Sequence, residues 1–396
     1  MKVLTFSTLF PNHLQQNHAV FIKNRMAAVQ KYNEVELKVV APVPFFPPLR
    51  VNPRWYRFSQ IKRLEVLDGI EIYHPRYPVT PKIGMSLYGL NMFLGSLQTV
   101  KAISRTFPFD LIDAHYIYPD GFAAILLGKY FHKPVVLSAR GTDINLYPNF
   151  KIVRTIMKYA LKRSSAIISV SCSLRDIMVN KLEIYPERIR VISNGIDPNV
   201  FCHSDKEEAK KNLGIFGKKK TVISVGSLIE SKGHHILIDA ISLLKKNNEL
   251  DFYTYIIGEG EYRVFLENKI KQQGLEKDVS LIGQIPNNEL SDWYSAADLF
   301  FLGSSREGWP NVISEALACG SPVVSTKVNG IQEIILSEDY GILTERNAED
   351  FAHGLCKALV KKWDYQKIYE YGQSRTWETV ASEVYNVFSD VLDQKV

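Results

Sequence analysis

The chain has 396 residues, of which 46% are hydrophobic and 23% are charged, so it is long enough for two or three compact domains. Its net charge of +6 is uneven: residues 1–198 hold 26 Lys/Arg against 13 Asp/Glu, and the remainder holds 22 against 29. No stretch reaches the roughly 18 apolar residues of a membrane-spanning helix, and the four scattered cysteines disfavour a disulfide scaffold or a zinc site.

The sequence also limits where the protein is expected to be located and which partners it is expected to bind. The apolar stretch after Lys2 is too short for a signal peptide and lacks a cleavage site, so we interpret it as a first strand. The basic first half fits an anionic partner, either lipid head groups or a phosphorylated acceptor, or else a solvated surface. No nucleic-acid recognition motif is present, which disfavours nucleic acid as the anionic partner. We expect a cytoplasmic protein, free or peripheral on the inner face of the cell membrane.

The chain opens with a predicted strand, loop, helix and strand. Val3–Phe6 begins the first strand, a helix runs from Ala19 to about Lys31, and Val35–Val40 returns as a strand. Residues 41–63 follow as a long connection rich in proline, aromatic and basic residues. Such loops are often functional. This composition fits a membrane interface or an anionic acceptor, with a packed surface loop as the alternative.

Polar residues follow two further strands predicted in the first half. His115 ends the strand that begins at Asp110, and Arg140 and Asp143 follow the strand Pro134–Ser138. Ligands of open α/β sheets lie beyond the carboxyl ends of the strands, so all three residues are candidates for ligand contact. A structural histidine and a structural Arg140–Asp143 ion pair are the alternatives.

The second half of the chain repeats this pattern of strands that end in polar or glycine-containing turns. Asn194–Pro198 forms a turn, and the strand Thr221–Val225 leads into Gly226 and then Lys232 at a helix start, which is the pattern of a phosphate cradle. Two more strands end in turns marked by glycines and a glutamine, namely Gly258, Gly260, Gly283 and Gln284.

The most informative stretch lies between the predicted strands Asp298–Leu302 and Pro322–Ser325. A short helix is predicted there, with Pro310 at its first position and Gly320 at its end. Glu315 shares the polar side of this helix, away from the packed face. A phosphate at the helix start, with Glu307 and Glu315 accepting hydrogen bonds from sugar hydroxyls on either side, describes a nucleotide sugar. The alternative is a crossover helix with solvated glutamates.

Glu307 and Glu315, followed by Ala-Leu-Ala-Cys-Gly-Ser-Pro-Val-Val, resemble the donor-site signature of retaining GT-B glycosyltransferases of the GT4 family (glycosyl transferases group 1), including bacterial capsule and teichuronic-type enzymes. The resemblance covers nearly the whole chain. It implies an α/β protein of the GT-B type, with two Rossmann-like domains facing each other across a cleft. The implied divisions are an acceptor-binding domain (1–198), a nucleotide-sugar-binding domain (199–375) and a C-terminal helix that crosses back (376–396).

The same resemblance implies roles for individual residues. Glu307 would hold the donor hexose, Lys232 the leaving diphosphate and His115 the donor sugar or reacting centre, which makes these three the predicted catalytic residues. Glu315 would hold the ribose. The predicted substrate contacts are Arg140, Asp143, Gly226, Gly258, Gly260, Gly283, Gln284, Pro310, Asn311, Val312 and Glu315. The chain departs from the family pattern at Ala19, where a glycine is usual, and at Ser227, where an arginine is common.

The implied activity is hexosyl transfer from a nucleoside diphosphate sugar to a saccharide or lipid-linked acceptor of cell-surface polysaccharide synthesis. We expect the anomeric configuration to be retained and a UDP-sugar to be favoured over a GDP-sugar. No Asp-x-Asp motif is present, so neither a metal nor a cofactor is expected. Two alternatives stay open: a GT-B-like nucleotide-sugar epimerase or hydrolase, and a non-catalytic nucleotide-sugar-binding regulator. An NAD-linked dehydrogenase is disfavoured because no G-x-G-x-x-G follows the first strand.

Overall fold

The structure is a computed structural model that describes residues 1–48, 53–79, 84–217, 219–246 and 251–393. The chain divides into two compact units: unit 1 comprises Met1–Asn194 and Trp377–Val396, and unit 2 comprises Gly195–Thr376. The chain leaves unit 1 slightly before the expected position at 198. The reason is that Ile196 already bridges Thr376 and donates its N–H to the carbonyl of Arg375 at 3.0 Å, so both connections run side by side within unit 2.

Unit 1 is built on a large sheet of mostly parallel strands. Within the described residues its strands are β1 (Lys2–Phe6), β2 (Glu36–Val40), β3 (Val43–Phe45), β4 (Leu64–Leu67), β5 (Ile70–Tyr73), β6 (Arg76–Pro78), β7 (Leu111–His115), β8 (Val135–Ala139), β9 (Ala166–Ser169) and β10 (Ile189–Val191). The large sheet has the order β10-β9-β8-β7-β1-β2-β5-β4, and β3 pairs with β6 separately. Only β4 is antiparallel to its neighbour in the large sheet. Its apolar central strands are buried, as strands covered on both faces must be.

Helices connect these strands and cover the sheet. They are α1 (Val20–Tyr32), α2 (Pro53–Gln60), α3 (Tyr88–Thr106), α4 (Phe122–Phe131), α5 (Thr142–Asn145), α6 (Lys151–Arg163) and α7 (Cys172–Leu182). The prediction of an irregular connection over residues 41–63 was wrong in part, because β3 and α2 lie within it. The Trp55 ring packs 5.8 Å from the rings of both Phe46 and Phe58, so aromatic contacts order this segment. Residues 49–52 of the predicted connection lie outside the described residues.

Unit 2 contains a wholly parallel sheet. Its strands are β11 (Lys220–Val225), β12 (Phe252–Ile257), β13 (Val279–Gly283), β14 (Leu299–Leu302), β15 (Val323–Thr326) and β16 (Gly341–Thr344), in the order β13-β12-β11-β14-β15-β16. Its helices are α8 (Lys206–Asn212), α9 (His234–Lys246), α10 (Arg263–Gln272), α11 (Leu290–Ala296), α12 (Asn311–Ala318), α13 (Asn329–Gln332), α14 (Ala348–Val360) and α15 (Tyr365–Gln373). The prediction of an α/β protein with two Rossmann-like units is confirmed.

The last helix, α16 (Trp377–Asp393), belongs to unit 1. Its apolar side, which includes Val380, Val384 and Phe388, is buried in one cluster with Ile22 and Met26 of α1. The end of the chain therefore completes the core of the unit in which the chain begins. None of the helices described is both long and apolar enough to cross a membrane.

Candidate functional site

The centre of the candidate site in unit 2 is an ion pair between Lys232 and Glu307. Lys232 Nζ lies 2.5 Å from Glu307 Oε1, and the hydroxyl of Ser304 donates to the same oxygen at 2.6 Å. The two residues are 75 positions apart, and they meet because β11 and β14 are adjacent and both segments follow the carboxyl ends of these strands. Their side chains are 25% and 13% exposed, so the pair is shielded and still reachable by a ligand.

Close backbone contact fixes the two loops that carry this pair. Gly233 has φ +76°, and a Cβ there would lie 2.1 Å from the carbonyl oxygen of Gly303. The guanidinium of Arg346 donates to the carbonyl oxygens of Gly303 and Glu230, each at 3.0 Å. Glycine is required at 233 for both its left-handed conformation and the space. Arg346 thus ties the Lys232 turn to the Glu307 loop, a role that the sequence did not predict.

Glu315 lies on α12, where two hydrogen bonds hold its carboxylate. Tyr294 donates its hydroxyl to Oε2 at 2.9 Å, and Asn287 donates its side-chain N–H to Oε1 at 3.2 Å. The residue is buried, and burial raises the pKa of Glu315 to about 7 while the two hydrogen bonds oppose that rise. The carboxylate lies off the face of α12 that packs on the sheet, as predicted, but α11 and the turn before it cover it.

The start of α12 differs slightly from the prediction. The helix begins at Asn311, and Pro310 precedes it as the N-cap residue with extended backbone angles, rather than occupying the first helical position. Pro310 is buried, whereas Asn311 and Val312 are partly exposed. The N–H groups of the first turn follow directly on the loop that carries Glu307, and that of Ile313 donates to the carbonyl of Pro310 at 3.0 Å. A helix start at this place suits an anion close to Lys232.

The predicted glycine turns lie side by side at the strand ends. A Cβ at Gly258 would lie 2.0 Å from the carbonyl oxygen of Gly226, and one at Gly260 would lie 2.3 Å from that of Leu228. The N–H of Gly258 also donates to the carbonyl of Gly283 at 2.8 Å. The four glycines thus let three neighbouring turns approach one another at one end of the sheet. Gln284, at the last of these turns, is exposed.

A second cluster lies in unit 1, around His115 at the end of β7. His115 is completely buried, and its Nδ1 accepts hydrogen bonds from Arg140 Nε at 3.2 Å and Nη2 at 2.5 Å. Its Nε2 lies 2.9 Å from Asp113 Oδ2. Burial lowers the pKa of His115 to about 4, so the ring is neutral at pH 7 with its hydrogen on the nitrogen facing Asp113. Arg140 therefore occupies Nδ1, while Nε2 faces the Asp113 carboxylate without completing a hydrogen bond to it.

Arg140 and Asp143 do not form the side-chain ion pair considered from the sequence. Arg140 donates from Nη1 to Asn194 Oδ1 at 3.2 Å, in addition to its bonds to His115. The buried carboxylate of Asp143 accepts backbone N–H groups of Ile117 at 2.9 Å, Gly141 at 2.8 Å and Arg140 at 3.1 Å. Asp143 thus shapes the turn after β8, and the predicted contacts of both residues with substrate stay predictions.

The structure brings Lys232 together with Glu307, and His115 together with Arg140, but the two pairs belong to different units. Sequence reasoning missed Ser304, Tyr294, Asn287 and Asp113. A signal existed for Asp113, because residues two apart on a strand face the same side. Tyr294 and Asn287 reach Glu315 only through the packing of unit 2, which leaves no local pattern in the sequence.

The structure also locates the two departures from the family pattern. Ala19 has φ 50° and ψ 43°, a left-handed conformation that favours glycine, the residue that the resemblance implies there. Ser227 is exposed in the turn after β11, and so is Arg306 beside Glu307. Arg306 lies in the same unit as Ser227, whereas Arg140 donates to Asn194 within unit 1.

Two family profiles match the chain. The profile described as Glycosyl transferases group 1 matches residues 205–375, and the one described as Glycosyltransferase Family 4 matches residues 56–200. Among curated proteins, the putative teichuronic acid biosynthesis glycosyltransferase TuaC of Bacillus subtilis is 29% identical over 363 residues, which cover 90% of this chain and 89% of that protein.

Solved structures resemble the chain over its whole length. Sucrose-phosphate synthase from Thermosynechococcus elongatus superposes with a TM-score of 0.80 at 16% identity, covering 99% of both chains. HepE from Anabaena, solved in complex with UDP, superposes with a TM-score of 0.72 at 19% identity, covering 98% of this chain and 100% of that one. Fold and profiles agree with the motif around Glu307 and Glu315: the chain is a glycosyltransferase of the GT4 (glycosyl transferases group 1) family with the GT-B fold.

Proposed function

We propose that this glycosyltransferase moves a hexosyl group from a nucleoside diphosphate sugar to an acceptor hydroxyl, with retention of the anomeric configuration. The acceptor is a saccharide or a lipid-linked saccharide of cell-surface polysaccharide synthesis, and the donor is a UDP-sugar rather than a GDP-sugar. The enzyme acts in the cytoplasm, at the inner face of the membrane. The observation that carries the proposal is the contact of Lys232 with Glu307 beside the start of α12.

The donor site follows from the charges of this arrangement. Breaking the anomeric bond leaves a diphosphate, whose new negative charge is stabilised by the Lys232 ammonium and the N–H groups at the start of α12. Glu307 holds that ammonium in place, and its carboxylate accepts hydrogen bonds from hydroxyls of the hexose. Glu315 accepts hydrogen bonds from the ribose at the far side of the diphosphate.

No general base is assigned to the protein. His115 is buried, accepts hydrogen bonds from Arg140 at Nδ1 and has a pKa lowered to about 4, which makes it a weak proton acceptor at pH 7. The leaving phosphate itself then takes the proton of the acceptor hydroxyl on the face that it leaves. This arrangement supports retention, because attack and departure share one face of the sugar.

The donor and acceptor classes rest on the relatives. HepE is solved with UDP, and TuaC is named for teichuronic acid biosynthesis. A thermal-shift series with UDP, GDP, ADP and their glucose conjugates tests the donor class. The proposal predicts the largest stabilisation by UDP forms. A larger shift with a GDP or ADP form would contradict the choice of UDP, and no shift with any nucleotide would contradict the donor site.

A product assay separates transfer from the alternatives. The enzyme is incubated with the stabilising donor and a membrane extract that contains lipid-linked saccharides, and products are followed by NMR. A new glycoside whose anomeric configuration matches that of the donor is expected. Freed sugar without acceptor would indicate a hydrolase, an altered nucleotide sugar would indicate an epimerase, and binding without turnover would indicate a regulator.

A further inference from the structure

We propose that one surface of unit 1, formed by α3 and α6 with α4 between them, docks on an anionic lipid bilayer. The surface, here called the three-helix face, is defined by six exposed side chains: Leu87, Leu90, Leu94, Lys151, Ile152 and Lys162. The inference rests on the proposed membrane-borne acceptor for its purpose, whereas the surface itself is argued from the contacts and charges of these helices.

The three helices form one continuous surface. The ring of Phe122 at the start of α4 lies against α3, where a Cβ at Gly89 would be 2.7 Å from Phe122 Cδ1. The same ring packs against Tyr159 of α6, with 6.1 Å between the ring centroids. The short turn Met85–Leu87 before α3 also contacts α6. The three helices therefore lie side by side, and the turn that carries Leu87 lies against α6.

Large apolar side chains project from this face without covering. Leu87, Leu90 and Leu94 follow the helical spacing of one outward stripe, and Leu87 is 54% exposed and Leu94 57%. Ile152, on the outer side of α6, is 66% exposed. Aliphatic side chains at helical spacing on an exposed face indicate a partner that accepts apolar groups. The boundary between head groups and acyl chains of a bilayer accepts such side chains.

The charge of the face identifies an anionic partner. The sequences of α3, α4 and α6 contain eight Lys/Arg and no Asp or Glu. Within the described part of the chain, one of these eight cations, Lys158, has a carboxylate within ion-pair distance, namely that of Glu183 at 2.6 Å, directly after α7. A second copy of the same face would place cations against cations, which disfavours a dimer. An anionic bilayer supplies negative charge for the lysines of this face and an apolar layer for its leucines and isoleucine.

The test is co-sedimentation of the full chain with vesicles of phosphatidylcholine alone or mixed with phosphatidylglycerol. Binding to the mixed vesicles, weakened by added salt, is expected. The double variants Leu90→Gln/Leu94→Gln and Lys151→Glu/Lys162→Glu should each weaken that binding about tenfold or more. The controls Val264→Gln/Val360→Gln and Lys31→Glu/Lys181→Glu alter exposed residues outside α3, α4 and α6 and should bind like the wild type.

Three results would overturn the inference: no binding to mixed vesicles, equal losses in the control variants, or retention of a DNA duplex in preference to vesicles. Each variant is also tested for stabilisation by UDP, which reports folding and the donor site separately. Loss of vesicle binding with nucleotide stabilisation retained supports the three-helix face. Absence of nucleotide stabilisation in the wild type would instead contradict the proposed function and leave the vesicle result to be judged by itself.

Discussion

At the scale of single residues, the candidate donor site depends on a few charged groups whose partners are far away in the sequence. Glu307 receives both an ammonium and a hydroxyl on one carboxylate oxygen. Glu315 is buried with two neutral donors rather than a cation, so its ionised form is the costly one. The two glutamates therefore differ in their partners, although the sequence motif presents them as equivalents.

Replacing Lys232 by methionine removes the ammonium that the account assigns to the leaving diphosphate. Loss of one such charge typically lowers turnover by about 10²–10³, so we expect a fall of that size in kcat, measured by donor consumption. The matched control is Lys245→Met, since Lys245 is similarly exposed and pairs with Asp278 at 2.8 Å in the same unit. Equal kcat values for the two variants would contradict the assigned role.

The raised pKa of Glu315 predicts a pH-dependent affinity for the donor. Below a pKa of about 7 the group is an uncharged acid, and above it the carboxylate accepts hydrogen bonds from hydroxyls. Affinity for the nucleotide sugar should therefore rise with pH, by up to about tenfold between roughly one pH unit below that pKa and one above it. Titration calorimetry at both pH values measures the ratio. Glu315→Gln should remove the difference, and an unchanged ratio in this variant would refute the assignment.

At the scale of elements, most of the fold was predictable because buried parallel strands are continuous apolar runs. The runs at Val3–Phe6, Thr221–Val225 and Asp298–Leu302 all became strands with bounds within a residue or two of the prediction. The segment 41–63 could not be predicted in the same way, since the aromatic contacts that order α2 involve Phe46, outside the helix. The partners of Glu315 likewise depend on packing between elements.

The turn before α9 gives a prediction at this scale. Gly233→Ala places a Cβ 2.1 Å from the Gly303 carbonyl oxygen at a φ of +76°, so we expect a loss of about 3 kcal/mol or more in unfolding free energy. The control Gly274→Ala has a φ of +66° but open space around the added carbon, and should cost about 1 kcal/mol. Urea denaturation compares them. Equal losses would show that the contact with Gly303 is not the constraint.

At the scale of the whole molecule, the chain begins and ends in the same unit. The bounds of the two units lie close to the predicted domains because the Asn194–Pro198 turn marks the first crossing, and the second crossing pairs with it through Ile196 and Thr376. That α16 completes the core of unit 1 was implied by the family resemblance alone. The apolar pattern of α16 predicts that one side of the helix is buried but does not predict that it packs on α1. Contacts between helices distant in sequence depend on the packing of the whole unit.

Phe388 tests this closure. Its side chain is completely buried among residues of α1 and α16, so Phe388→Ala should lower the unfolding free energy of unit 1 by about 3–5 kcal/mol. Asn386→Ala, on the exposed side of α16, should be nearly neutral. The transition that UDP stabilises should not shift in Phe388→Ala, because the proposed donor site lies in unit 2. If Phe388→Ala shifted only the transition that UDP stabilises, the assignment of α16 to the core of unit 1 would be contradicted.

The most direct test of the donor site is a calorimetric comparison of two ligands on three proteins. UDP and UDP-glucose, or the corresponding pair that the thermal-shift series selects, are titrated into the wild type, Glu307→Gln and Glu315→Gln. The account predicts that Glu307→Gln weakens binding of the nucleotide sugar about tenfold or more and leaves the nucleotide nearly unaffected, while Glu315→Gln weakens both ligands. Wild-type affinities in both variants, or an equal loss for both ligands in Glu307→Gln, would contradict it.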